Sequence, residues 1–156
     1  MARQVVGLIS DTHGLLRPEA SKALRGSDLI LHAGDIGKPD ILTELERLAP
    51  VVAIRGNVDK GLWASAIPET EAIELDGRIL AYMLHNLDDL ALDPVSAGFR
   101  VVVYGHSHKA HTRRKDGVLY INPGSAGPRR FSLPTTVGRL LLGGGEMFVE
   151  ITELEV

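Results

Sequence analysis

There is no cysteine anywhere in the 156 residues. Disulfides, thiolate nucleophiles and sulfur-ligated metals are therefore excluded. Any bound metal must use His, Asp, Glu, Asn and water, a donor set that suits hard or borderline cations such as Mn²⁺, Mg²⁺, Fe²⁺ or Zn²⁺. A strong charge excess is also missing. The net charge of -3 gives no general attraction to nucleic acid or to an anionic membrane. No apolar run approaches the roughly 20 residues of a membrane span. The apolar run within Met1 to Asp11 has no basic leader and no small-residue cleavage site. It reads as a first strand, and the expected location is the cytoplasm. Internal repeats and low-complexity tracts are absent too. What remains is an ordinary globular mix, 44% hydrophobic and 24% charged. Its length suits one domain over residues 1–156, which on folding buries roughly 70% of the surface its unfolded chain exposes.

The first half alternates strand and helix patterns. Val5 to Ile9, Leu29 to Leu31 and Val51 to Ile54 are short apolar runs of the kind found in sheets covered on both faces. Between them, Pro18 opens a helix carrying Ala20, Ala23 and Leu24 at helical spacing. Pro39 opens a second, in which Ile41, Leu42, Leu45 and Leu48 form a stripe opposite Glu44, Glu46 and Arg47. This is a βαβαβ pattern, whose usual outcome is parallel strands. The second half changes character. Asp76-Gly77 and Asp116-Gly117 mark hairpin turns, and Gly143 to Gly145 joins two further strands. The expected architecture is two packed sheets with helices outside.

Polar residues cluster just beyond the strands. Ser10-Asp11-Thr12-His13-Gly14 follows the first run, His32-Ala33-Gly34-Asp35 the second and Gly56-Asn57-Val58-Asp59 the third. His85 follows Ile79 to Leu84, and Gly105-His106-Ser107-His108 follows Val101 to Tyr104. Open α/β sheets place ligands at the carboxyl ends of strands. Asp11 and His13, two apart, point the same way if the backbone is extended, and so do His106 and His108. A single Asp or Asn in such a loop is explained by helix capping and turn chemistry. Two carboxylates, an asparagine and four histidines at strand ends point instead to a metal site.

The ordered series Asp11-x-His13, Gly34-Asp35, Gly56-Asn57, His85 and Gly105-His106-x-His108 resembles the calcineurin-like metallophosphoesterases, and most closely their small single-domain YfcE-like phosphodiesterase branch. Asn122-Pro123-Gly124-Ser125 also resembles a loop of that branch. The resemblance spans roughly Val5 to Pro134 and leaves no room for a cap domain. It implies a four-layer α/β/β/α sandwich of two mixed sheets flanked by helices. It further implies two divalent cations, with Mn²⁺ favoured over Fe²⁺, Ni²⁺, Zn²⁺ or Mg²⁺. Asp11, His13, Asp35 and His108 would hold one; Asp35, Asn57, His85 and His106 the other, with Asp35 shared. Such a pair, about 3.5–4 Å apart, clamps an in-line displacement at phosphorus by a bridging hydroxide. Asp35, Asn57 and His85 are then the residues nearest the chemistry, and the substrate is a small phosphorylated compound.

Two positions depart from that family's pattern. Val58 stands where many members carry a histidine able to protonate the leaving group, and Asn86-Leu87 follows His85 where many read Gly-His. The first favours activated or unhindered phosphodiesters; the second bears on the contacts to substrate phosphate. They also keep alive a second reading, a protein-binding scaffold with a decayed site, against which the full ligand set argues. His32 reads as a packed residue, His111 as a solvent-exposed loop histidine and Arg113-Arg114-Lys115 as a solvated tip. A homo-oligomer is compatible with the sequence, which marks no interface.

Overall fold

The computed structural model describes residues 4–156. Ten strands form two five-stranded sheets. The first is built from β1 (Gln4–Ile9), β2 (Leu29–His32), β3 (Val51–Ala53), β9 (Thr136–Gly143) and β10 (Glu146–Glu153), in the order β10-β9-β1-β2-β3. The second holds β4 (Thr70–Leu75), β5 (Ile79–Leu84), β6 (Val101–Val103), β7 (His111–Lys115) and β8 (Val118–Asn122), in the order β4-β5-β6-β8-β7. Strands β1, β2 and β3 are mutually parallel, as the βαβαβ pattern implies, while β9 joins β1 antiparallel. In the second sheet β5, β6 and β8 are parallel and both hairpins are antiparallel. Each sheet is therefore mixed, and the two with their flanking helices make the expected α/β sandwich.

Three apolar clusters separate the layers. Alternation along β1 sends Val6 and Leu8 inward, where they meet Leu31, Ala81, Met83, Val101, Val103 and Ile121 between the sheets. Ile9 and Ile30 face the other way, against α1 (Pro18–Leu24) and α2 (Asp40–Glu46) through Ala20, Leu24, Ile41 and Leu45. Gly7 lets α1 approach, since a Cβ there would sit 2.8 Å from Ser27 Oγ and 3.0 Å from a Leu24 methyl. The outer face of the second sheet carries Leu84, Val102, Tyr104 and Val118. Leu87, from the three-residue 3₁₀ turn η1 (Leu87–Asp89), and Leu90 pack against it, and the four-residue α4 (Pro94–Ala97) follows in the chain. Asp93 caps α4 by accepting from Val95 N, and left-handed Gly98 ends it. A further short helix, α3 (Leu62–Ser65), follows the third loop.

The two Asp-Gly turns behave as read. Asp76 and Gly77 have φ of 49° and 70°, and Asp116 and Gly117 have 53° and 80°, the left-handed pair that a tight hairpin requires. Residues 111–115 differ from expectation. They are not a loop and tip but strand β7, the edge of the second sheet, paired with β8 through the hairpin.

Candidate metal centre

Parallel strands bring their carboxyl ends to one edge, and there the loops after β1, β2, β3, β5 and β6 converge. The first two are laced together by backbone: Asp11 N donates to Gly34 O at 3.0 Å, His13 N to Asp35 O at 2.9 Å and Gly14 N to Ile36 O at 2.8 Å. This pairing sets the backbone in an unusual state. Asp11, His13, Asp35, His106 and His108 all have positive φ, between 46° and 74°. The paired residues therefore do not share a direction through extended backbone, as the spacing suggested. Left-handed turns aim them instead. Left-handed non-glycine residues carry strain that surrounding structure must hold, and such residues cluster at functional sites.

The side chains meet at Asp11 Oδ1. Asp11 is fully buried, and its Oδ2 is occupied by Ser10 Oγ at 2.6 Å and His106 N at 3.2 Å. Oδ1 is left without a hydrogen-bond partner and lies 3.4 Å from His108 Nε2, 3.7 Å from His13 Nε2 and 3.7 Å from His85 Nε2. Asp35 is arranged alike. Its Oδ1 accepts from Val58 N at 3.1 Å, while Oδ2 faces His85 Nε2 at 3.1 Å and His13 Nε2 at 3.8 Å. His85 Nδ1 donates to Ala33 O at 2.7 Å, which fixes its tautomer and turns the Nε2 lone pair to the carboxylates. Among the described residues, Asp11, His13 and His108 form one group whose ligand atoms lie within 4.8 Å of one another, and Asp11, Asp35 and His85 form a second. The carboxylate common to both is Asp11; Asp35 belongs to the second. Asn57 and His106 stand at the exposed rim, His106 edge-on to His85 with ring centroids 5.4 Å apart.

This arrangement fits divalent cations. Two buried carboxylates lie within 4.8 Å with an unpartnered oxygen between them, and His13 and His108 turn Nε2 atoms toward each other at 3.2 Å. A cation in that volume removes both the like-charge cost and the lone-pair conflict. Burial raises the Asp11 carboxyl, but the nearby His108 and His13 imidazoles, Ser10 and the charge of His85 outweigh it and hold it well below the carboxylate range. Asp35 is likewise lowered, burial being outweighed by His85 and Val58 N. His85 is raised, because Asp35, Asp11 and the Ala33 carbonyl outweigh its burial.

Supporting residues hold the loops in place; His32 is packed as the sequence suggested, while Asp59 was given no role. Asp59, only 6% exposed, accepts from Ile36 N, Gly37 N and Gly56 N at 3.1, 2.9 and 2.8 Å. His32 Nδ1 accepts from Gly34 N at 3.1 Å, so its Nε2 donates to Thr12 Oγ1 at 3.0 Å, which in turn donates to Ile36 O. Asn122 donates to Gly105 O at 3.0 Å and Ser125 Oγ to Asp11 O at 3.0 Å, so the Asn122–Ser125 loop props the centre from behind. Gly56 and Gly105 are required by proximity. A Cβ on Gly56 would overlap Asp35 Oδ1, and one on Gly105 would lie 2.6 Å from Asp11 Oδ2. The only advance signal for Asp59 was its place two residues beyond Asn57.

The calcineurin-like phosphoesterase superfamily domain matches residues 5–143. The chain belongs to that superfamily. A protein of Methanothermobacter thermautotrophicus named "Probable metallophosphoesterase" is 34% identical over 94% of this chain and 91% of its own. A protein of Methanocaldococcus jannaschii named a phosphodiesterase is 29% identical, over 83% of this chain and 89% of its own. Among solved structures, an archaeal phosphodiesterase superposes with a TM-score of 0.78 at 26% identity, covering 95% of this chain and 99% of that one. Vps29 of Chaetomium thermophilum shares the fold with a TM-score of 0.77 at 16% identity, covering 97% of each chain. The superfamily implies divalent metal, and the donor set assembled here is one that can take it.

Proposed function

We propose that this phosphoesterase is a dinuclear enzyme acting on phosphodiesters, working in the cytoplasm. Asp11, His13, Asp35, Asn57, His85, His106 and His108 hold its two cations, Mn²⁺ first among them. The observation that carries the proposal is the unpartnered Asp11 Oδ1, facing three imidazoles beside a second buried carboxylate. When bound, the cations supply a nucleophilic water at neutral pH and neutralise phosphoryl charge. The chain's residues do the rest. A cleft of about 430 Å³ opens beside His85, lined by Arg55, Asn57, Lys60, Thr70 and Asn86 among others. Asn57 donates an amide N–H to a phosphoryl oxygen there. Lys60 adds positive charge, whereas Arg55 is held by Glu69 at 3.0 Å and by Ile67 O at 3.1 Å, and so shapes the wall. Val58, 49% exposed at the rim, offers no proton to a leaving group. This supports esters whose leaving group departs unassisted.

The test is hydrolysis of bis-p-nitrophenyl phosphate and p-nitrophenyl phosphate by metal-stripped protein, with and without Mn²⁺, beside Asp35→Asn. Mn²⁺-dependent turnover of the diester, exceeding that of the monoester and lost in the variant, is the expected result. A monoester preference overturns the substrate class. Bound metal without turnover of either favours the scaffold reading, which Val58 and the missing second histidine after His85 keep open.

A further inference from the structure

The outer face of the second sheet holds features that phosphoester hydrolysis does not use. Alternation along β7 separates its basic residues. Arg114 turns away and donates to Met147 O. His111, Arg113 and Lys115 share the other face, where Arg113 lies opposite Tyr120 on β8 and Lys115 opposite Val118. These three side chains, two of them cationic, rim a cavity of about 230 Å³ whose walls are Tyr104, Tyr120, Leu87 and Leu90. No acidic side chain lines it. Among the described residues the ion pairs of Lys and Arg are Arg47–Glu44 and Arg55–Glu69, so the β7 cations have no carboxylate partner. From the segment after β5, only Leu87 of η1 and Leu90 line the cavity. Two unpaired cations, Arg113 and Lys115, beside an aromatic hollow run against the chain's net charge of -3.

We propose that this cavity binds a small aromatic anion of the nucleoside monophosphate class, at a site separate from the metal centre. The base enters against Tyr104 and Tyr120, and the phosphate stays at the rim on Arg113 and Lys115. Size supports that division. The cavity is below the roughly 300 Å³ at which pockets begin to enclose a whole drug-sized ligand. Tyrosine faces accept any base by stacking, and guanidinium pairs with phosphate through parallel N–H donors. The segment Leu84–Leu90 is the wall between the two sites: Leu87 and Leu90 face this cavity, while His85, Asn86 and Asp89 line the catalytic cleft.

The experiment is a titration of ¹⁵N-labelled, metal-free protein with AMP, read by amide and side-chain shifts, repeated with adenosine and with inorganic phosphate. We expect saturable shifts at residues 87–90, 104, 113, 115 and 120. Adenosine and phosphate alone should bind at least about tenfold more weakly, the loss of about 1.4 kcal/mol that one part of a two-part site represents. Arg113→Glu combined with Lys115→Glu, both on an exposed edge strand, should keep the spectrum dispersed and abolish the shifts. Shifts confined to the loops after β1 and β2, or AMP binding unchanged in the double variant, overturns the proposal. So does equal binding of adenosine. A short oligothymidylate binding more tightly than AMP overturns the mononucleotide assignment in favour of a strand-binding face.

Discussion

Replacing Asp59 with asparagine probes the framework of the metal centre without touching a candidate ligand. Asp59 Oδ2 accepts from Ile36 N and Gly56 N, and Oδ1 from Gly37 N, in a site 6% exposed. Asparagine has one acceptor oxygen. If that oxygen keeps the two Oδ2 bonds, its NH₂ group faces the Gly37 N–H, so one bond is lost and two donors are opposed. The remaining bonds lose their charge assistance. A hydrogen bond to a charged group is worth about 1.5–3 kcal/mol, and an unsatisfied buried donor costs about 1–3 kcal/mol. Asp59→Asn should therefore cost about 2–4 kcal/mol, a large part of a typical total of about 5–15 kcal/mol. With a urea dependence of about 2 kcal/mol/M, the unfolding midpoint of the metal-free protein falls by about 1–2 M. Ile36 and Gly37 follow Asp35, and Gly56 precedes Asn57, so both loops loosen where the ligands sit. Mn²⁺ affinity should fall roughly 10–100-fold. An unchanged midpoint together with unchanged Mn²⁺ affinity would refute the claim that Asp59 ties the loops.

Acid stability supplies another check. Burial lowers His32 to about 4 from its ordinary 6.5. Between those pH values the unfolded chain binds the proton and the folded one does not, so His32 favours the folded state above pH 6.5 and loses that advantage as pH falls toward 4. The loss is about 3 kcal/mol. His32→Asn should be less stable at pH 7 and flatter across that window; parallel stability curves would show that His32 is not the titrating group. Gly56→Ala should weaken both metal binding and folding, since its Cβ falls on the Asp35 carboxylate and on Asp35 N; undiminished Mn²⁺ affinity would mean that the Gly56 loop moves away freely. Val58→His should raise turnover of diesters with poor leaving groups, measured as kcat against leaving-group pKa, and an unchanged slope would put that side chain off the leaving-group side.

The β strands before the centre were legible because each apolar run ends abruptly at a polar residue. The Asp-Gly hairpins were legible because few residue pairs accept two consecutive left-handed conformations. The candidate ligands could be picked out for the same local reason: they follow strands in order. How they converge could not be read. Asp11 and His106 are joined by a hydrogen bond across 95 residues, and spacing along a strand suggested extended backbone where φ is positive. Asp59 looked idle because its three partners lie in two loops, one of them 22 residues or more away. Strand β7 escaped because Arg113, Arg114 and Lys115 read as solvated charge, and only pairing with β8 reveals their alternation. Helices η1 and α4 are too short for an apolar period to show.

The central claim is that Asp11 and Asp35 with their histidines hold divalent cations. The direct measurement is calorimetric titration of metal-free protein with Mn²⁺, wild type beside Asp11→Asn and Asp35→Asn, with metal content determined independently. The account predicts two ions per chain in the wild type and loss of tight binding in both variants. A wild type that takes up no Mn²⁺, or variants that keep both ions at wild-type affinity, would contradict it.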